Sequence, residues 1–118
     1  MRGYRELIAW QKAMDLVPEA YRLVKKLPKE ERYALGDQIR RAVVSIPANI
    51  AEGQGRQYPA EFARFLSIAL GSLSELDTLL LVAQRLNYLR KEEVESLIPL
   101  MTETRKLIYG LLRRKAEK

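Results

Sequence analysis

The chain has 118 residues, 47% of them apolar and 31% charged, with a formal net charge of +6 and neither cysteine nor histidine. That length fits one domain over residues 1–118, and the apolar content excludes a disordered tail protein. The missing residue types exclude disulfides, thiolate and imidazole metal sites, and Ser–His or Cys–His catalysis, so the expectation is a protein that is not an enzyme and uses no cofactor or metal.

The spacing of apolar residues predicts four helices. The first covers about residues 6–27, with Leu7, Trp10, Met14, Val17, Tyr21 and Val24 alternating by three and four, and ends at Lys25-Lys26-Leu27-Pro28. The second covers about 29–53, with Leu35, Ile39, Ala42, Ile46, Asn49 and Gly53 on one face. After a loop at residues 53–58, Pro59 suits the first turn of a third helix, about 59–87. Its stripe of Phe62, Leu66, Ala69, Leu73, Leu76, Leu80 and Ala83 is unbroken, and Asn87 can take the left-handed conformation that ends it. The fourth, about 91–115, opens on Glu92-Glu93, continues through Val94, Leu97, Met101, Ile108 and Leu112, and ends on basic residues. Short connections favour an all-α, antiparallel up-down-up-down four-helix bundle. Pro18, Pro47 and Pro99 fall inside these helices and are expected to bend or locally break them.

No apolar run approaches the roughly 18 residues of a membrane span, and no apolar stretch follows the basic residues at the N-terminus. The expectations are a cytoplasmic protein and no membrane partner. Three helices nonetheless carry more apolar surface than one stripe. The third adds Ile68, Leu79, Val82 and Leu86, with Gly71 and Ser72 nearby; the second adds Val44, Ala48 and Ala51; the first adds Leu16, Ala20 and Leu23. Apolar arcs of that width normally mark interfaces, which predicts a homo-oligomer.

A polar stripe runs along the second helix: Gln38, Arg41, Ser45, Asn49, Glu52 and Arg56, with Ser72 and Glu75 on a comparable flank of the third. Half-buried polar groups need partners. One possibility is an internal network of Arg41, Asn49, Glu52 and Glu75, with Arg41 paired to Glu52, Glu75 or a neighbouring subunit and Asn49 tying down backbone loosened at Pro47. The other is a groove presenting Arg40, Arg41, Arg56 and Arg64 to phosphate, joined by the basic end Arg113, Arg114 and Lys115. A pI near 9.7 favours RNA or DNA as the acidic partner. Glu52, Glu75 and Asp77 are weak magnesium candidates, since di-metal bundles use Glu-x-x-His pairs. Gly53-Gln54-Gly55 follows a helix and lacks the Gly-Lys-Ser/Thr of a phosphate loop.

The order of motifs is itself informative. Leu7-Ile8-Ala9-Trp10-Gln11-Lys12-Ala13, Gln38-Ile39-Arg40-Arg41-Ala42, Ser45-Ile46-Pro47-Ala48-Asn49-Ile50-Ala51-Glu52-Gly53 and Gly55-Arg56 are followed by Phe62, Phe65-Leu66-Ser67-Ile68-Ala69-Leu70-Gly71-Ser72 and Glu75-Leu76. Over nearly its whole length the chain resembles the four-helix bundle proteins encoded in intervening sequences of bacterial 23S ribosomal RNA genes. That family is similar in turn to the accessory variability determinant proteins of diversity-generating retroelements. The resemblance implies a ring-like homopentamer with a basic surface. For the retroelement branch it also implies binding to nucleic acid and to a reverse transcriptase. It implies no enzyme. The functional expectation is a basic oligomeric accessory protein that binds RNA or DNA through surface Lys and Arg; the alternative is a protein-interaction scaffold with no nucleic-acid role.

Overall fold

A computed structural model of the chain describes residues 3–116, and side chains as far as Arg114. Among the described residues there is no strand, and four long helices carry the fold: α1 (Ile8–Val24), α2 (Leu35–Gln54), α3 (Pro59–Arg85) and, after the short α4 (Lys91–Glu95), α5 (Ile98–Ala116). α2 packs along α3 and α1, and α5 closes against α1 and α3, so each long helix has two neighbours around one bundle core. The molecule measures 47 × 23 × 19 Å. A helix of α3's length spans about 40 Å, so the bundle is little longer than its longest member.

α3 follows its sequence pattern closely. All seven stripe residues, Phe62 to Ala83, are buried, and Pro59 sits in the first turn. Asn87 has a φ of 64°, and the Tyr88 N–H reaches the Ala83 carbonyl at 2.8 Å while the Asn87 N–H reaches Gln84 at 2.9 Å. This paired closure is the Schellman arrangement, which satisfies carbonyls the helix end would otherwise leave open. With a mean hydropathy of 1.6 over its most apolar window, α3 is long and apolar enough to cross a membrane by length and composition. Its buried stripe is consumed by the bundle core, and the remaining apolarity lies on its outer face.

α1 departs from the periodicity expectation. Its buried side is Ala9, Ala13, Leu16, Ala20, Leu23 and Val24, whereas Met14 and Tyr21 are 42% and 38% exposed. Three alanines on the inner face let α1 approach its neighbours closely; of the expected stripe Val24 is buried and Leu7, Trp10 and Val17 pack partly buried against the core, while Met14 and Tyr21 turn outward. The two arcs adjoin on the helix, and hydrophobicity alone does not rank the alanine-rich arc as the deeper one.

Helix boundaries also differ from expectation. The second helix starts at Leu35, not Lys29; Lys29–Glu31 forms a separate 3-10 turn. The core spacing of α2 has no apolar member one turn before Leu35, where Glu31 stands, so no burial rewards an earlier start. Glu31 instead accepts the Tyr88 hydroxyl at 3.0 Å, which ties the α1–α2 connection to the end of α3. The fourth predicted helix is two. α4 ends at Glu95, and α5 begins one residue before Pro99. Proline cannot donate to the carbonyl four residues back, and it disfavours helical backbone in the residue before it. Pro18 and Pro47, by contrast, lie within unbroken helices.

The end of the bundle holding α4 is fastened by Glu93. Its carboxylate accepts the Arg90 backbone N–H at 2.8 Å and the Lys26 ammonium at 3.1 Å. These partners, the backbone hydrogen bond first, hold the Glu93 carboxyl below its ordinary range. The Tyr88 hydroxyl is pushed above its ordinary range, chiefly because it donates to Glu31. Midway along the bundle, Lys12 of α1 meets Glu103 of α5 at 3.4 Å.

Candidate functional site

The polar stripe of α2 meets α3 at a small hydrogen-bond cluster. The Ser45 and Ser72 hydroxyls are 2.7 Å apart, and Asn49 donates through Nδ2 to the Ser45 hydroxyl at 2.9 Å and to the Ser45 carbonyl at 2.8 Å. Small side chains at positions 45 and 72 let the helices approach closely enough for hydroxyl to meet hydroxyl. Asn49 does bind backbone beside Pro47, through Ser45, two residues before the ring. No buried side-chain polar atom among the described residues lacks a partner.

The charged members of the expected network behave differently. Glu52 pairs with Arg56 at 2.8 Å, one helical turn away. Among the described residues, neither Arg41 nor Glu75 takes an ion pair or side-chain hydrogen bond, so within one chain Arg41 joins neither Glu52 nor Glu75. The three-part network of Arg41, Glu52 and Glu75 therefore does not form inside a single bundle; the serines and Asn49 take its place.

Three of the arginines expected to face phosphate are engaged within the chain. Arg40 pairs with Asp37, donates to the Arg32 carbonyl at 2.7 Å and lies 5.9 Å from the centre of the Tyr33 ring. Arg56 and Arg64 approach the Phe65 ring, at 4.9 and 4.6 Å from its centre, while Glu52 and Glu61 neutralise them. Each such guanidinium–ring contact contributes about 0.5–1 kcal/mol at exposed positions. Phe65 is thus the centre of a clamp on the α2–α3 turn that the sequence pattern did not reveal, because Arg56 reaches it across the turn and not at helical spacing. Gly53 completes the turn by letting the Phe65 and Phe62 side chains lie against the α2 backbone.

Arg113 and Arg114 are exposed near the end of α5 with no carboxylate partner among the described residues. The Lys115 side chain lies outside the described residues. Arg40, Arg41, Tyr21, Asp37, Val44 and Ser45 line an open groove of about 550 Å³ between α1 and α2. Glu52, Glu75 and Asp77 do not converge: no group of three ligand-type side chains among the described residues is placed to hold a metal ion.

Fold and surface together define a basic helical bundle whose polar residues mostly serve its own packing and whose outer faces retain apolar side chains. The model of the 23S rRNA-intervening sequence protein family matches residues 5–110, and the chain belongs to that family. Among solved structures it is similar to a protein of unknown function from the S23 ribosomal protein family of Bacteroides thetaiotaomicron VPI-5482. The two share 29% identity and a TM-score of 0.81, over 89% of this chain and 98% of the other. No match to the chain is found among the curated proteins.

Proposed function

We propose that this protein is a non-catalytic, cytoplasmic, basic homo-oligomer that binds RNA or DNA through surface arginines and lysines and does not act at a membrane. The observation that carries the oligomer is the apolar surface one bundle leaves uncovered: Ile8, Met14 and Tyr21 on α1, Val44 on α2, and Ile68, Leu81, Val82 and Leu86 on α3. Arcs of this extent on several helices are typical of subunit contacts. The facing pairs Ser45–Ser72 and Lys12–Glu103, with Lys26–Glu93 further along, support an antiparallel course of α2 against α3 and of α1 against α4–α5. The resemblance noted from the sequence supports a closed ring of five.

Nucleic-acid contact falls first to Arg113 and Arg114, since Arg40, Arg56 and Arg64 are held by carboxylates three or four residues away. Such binding is phosphate-led and steeply salt-dependent. In a filter-binding titration with structured ribosomal RNA at two salt concentrations, R113E/R114E reduces the log–log salt slope by roughly 1–2. No binding by the unaltered protein at low salt rules the nucleic-acid role out. On the resemblance to the retroelement accessory proteins, a reverse transcriptase is proposed as a further partner, tested by co-purification of the two proteins. The engagement of Arg40, Arg56 and Arg64 favours one second reading, a protein-interaction scaffold whose charge serves solubility. It is the outcome if RNA binding is absent while assembly persists.

A further inference from the structure

Within the proposed oligomer, we propose that the outer face of α2 and α3 docks a second copy of this chain, with Arg41 of one copy bonding Glu75 of the next. Arg41 lies one turn before Ser45 and Glu75 one turn after Ser72, so both flank the Ser45–Ser72 contact that joins the two helices. Around them the surface is apolar or small. Val44 is 43% exposed, Ile68 40%, Val82 39% and Leu86 50%, and Ala48 and Gly71 leave room for close approach.

Charge identifies the occupant. Of the charged residues of α2, Asp37, Arg40 and Glu52 are paired within the chain and Arg41 is not. On α3, Glu75 is an unpaired carboxylate whose helical neighbours at one and two turns are Ile68, Gly71, Ser72, Thr78, Leu79 and Val82, none of them charged. Beside the Ser45–Ser72 contact each copy therefore offers an unmatched cation and an unmatched acid amid apolar side chains, and each supplies what another copy lacks; the unpaired Arg85 lies at the Leu86 end of the face. Arg41 and Glu75 cancel one another, so their contact avoids the repulsion that the +6 net charge otherwise imposes between copies. A nucleic acid is poorly served around the Ser45–Ser72 contact, where Arg41 is accompanied by a carboxylate and exposed aliphatic side chains.

Sedimentation velocity across the micromolar range tests this with charge reversals. R41E and E75R each weaken association by at least about tenfold, the double variant R41E/E75R restores it, and K106E on α5 leaves it unchanged. Because the chain has no cysteine, mixing R41C with E75C adds an independent readout that does not depend on affinity. Oxidation links those two variants into a covalent dimer, whereas R41C mixed with K106C gives none. A wild-type monomer throughout the range overturns the oligomer and this contact together. Assembly that survives both single reversals, or that the double variant fails to restore, or the absence of an R41C–E75C link in an assembled sample, overturns this contact alone.

Discussion

Replacing Gly53 with alanine probes the tightest packing around any glycine among the described residues. An added Cβ would lie 2.7 Å from Phe65 Cβ, 3.0 Å from Phe62 Cδ1 and 3.3 Å from the Phe62 carbonyl oxygen. The first contact is short of a favourable carbon–carbon separation by about 0.8 Å. Phe65 Cβ is fixed by its backbone and by the two guanidiniums against its ring, so the side chain cannot swing aside; α2 and α3 must part. Overpacking of this kind costs about 1–3 kcal/mol, and a rigid neighbour puts the cost near the top of that range. Alanine recovers about 1 kcal/mol of helix propensity, leaving a net loss of about 2 kcal/mol. For a chain of this size that corresponds to a fall in Tm of roughly 6–12 °C. Urea unfolding followed by far-UV circular dichroism, at fixed protein concentration, measures it. Gly110 is the control: nothing lies within 4 Å of its Cβ position, so G110A gains about 0.5–1 kcal/mol. An unfolding midpoint for G53A equal to or above wild type would refute the claim that the α2–α3 turn is sterically closed.

Pro18 is exposed in the interior of α1, so P18A restores a backbone hydrogen bond without losing buried contacts; it is expected to raise stability by about 1–3 kcal/mol in the same assay. Removing the Ser45 hydroxyl leaves both Ser72 and Asn49 short of a partner, and S45A is expected to cost about 1–2 kcal/mol. The double variant S45A/S72A costs less than the two single changes summed, as a double-mutant cycle would reveal. Glu93 sets a pH dependence. Its folded pKa lies below its unfolded value of about 4.3, so its contribution is complete at neutral pH, begins to fade below that value, and is lost as pH falls through the folded pKa. Urea midpoints from pH 6 to pH 3 should therefore decline less steeply for E93Q than for wild type (about pH 4.3 being the onset).

The sequence determined the helical class and most of the core. On α3, and on the α2 stripe from Leu35 to Ile46, the buried arc is the one with the longest unbroken run at helical spacing, and periodicity named its residues correctly. Local chemistry sufficed at Asn87, because a left-handed residue is needed to close a helix and asparagine tolerates that conformation. The surplus apolar faces were equally legible, being a property of spacing alone.

Tertiary structure decided what spacing leaves degenerate. α1 has two adjoining apolar arcs, and the inward choice of Ala9, Ala13 and Ala20 followed from how closely its neighbouring helices approach, a matter of shape and not of hydrophobicity. The charged residues were degenerate in the same way. A sequence shows that Arg40, Arg41, Arg56 and Arg64 are present, but whether each is occupied depends on which carboxylate or ring lies within reach. Three found partners through helix spacing and one turn, and Arg41 found none within its own bundle. Short-range periodicity fixes which side chains share a face; only the packed arrangement of helices fixes what that face meets.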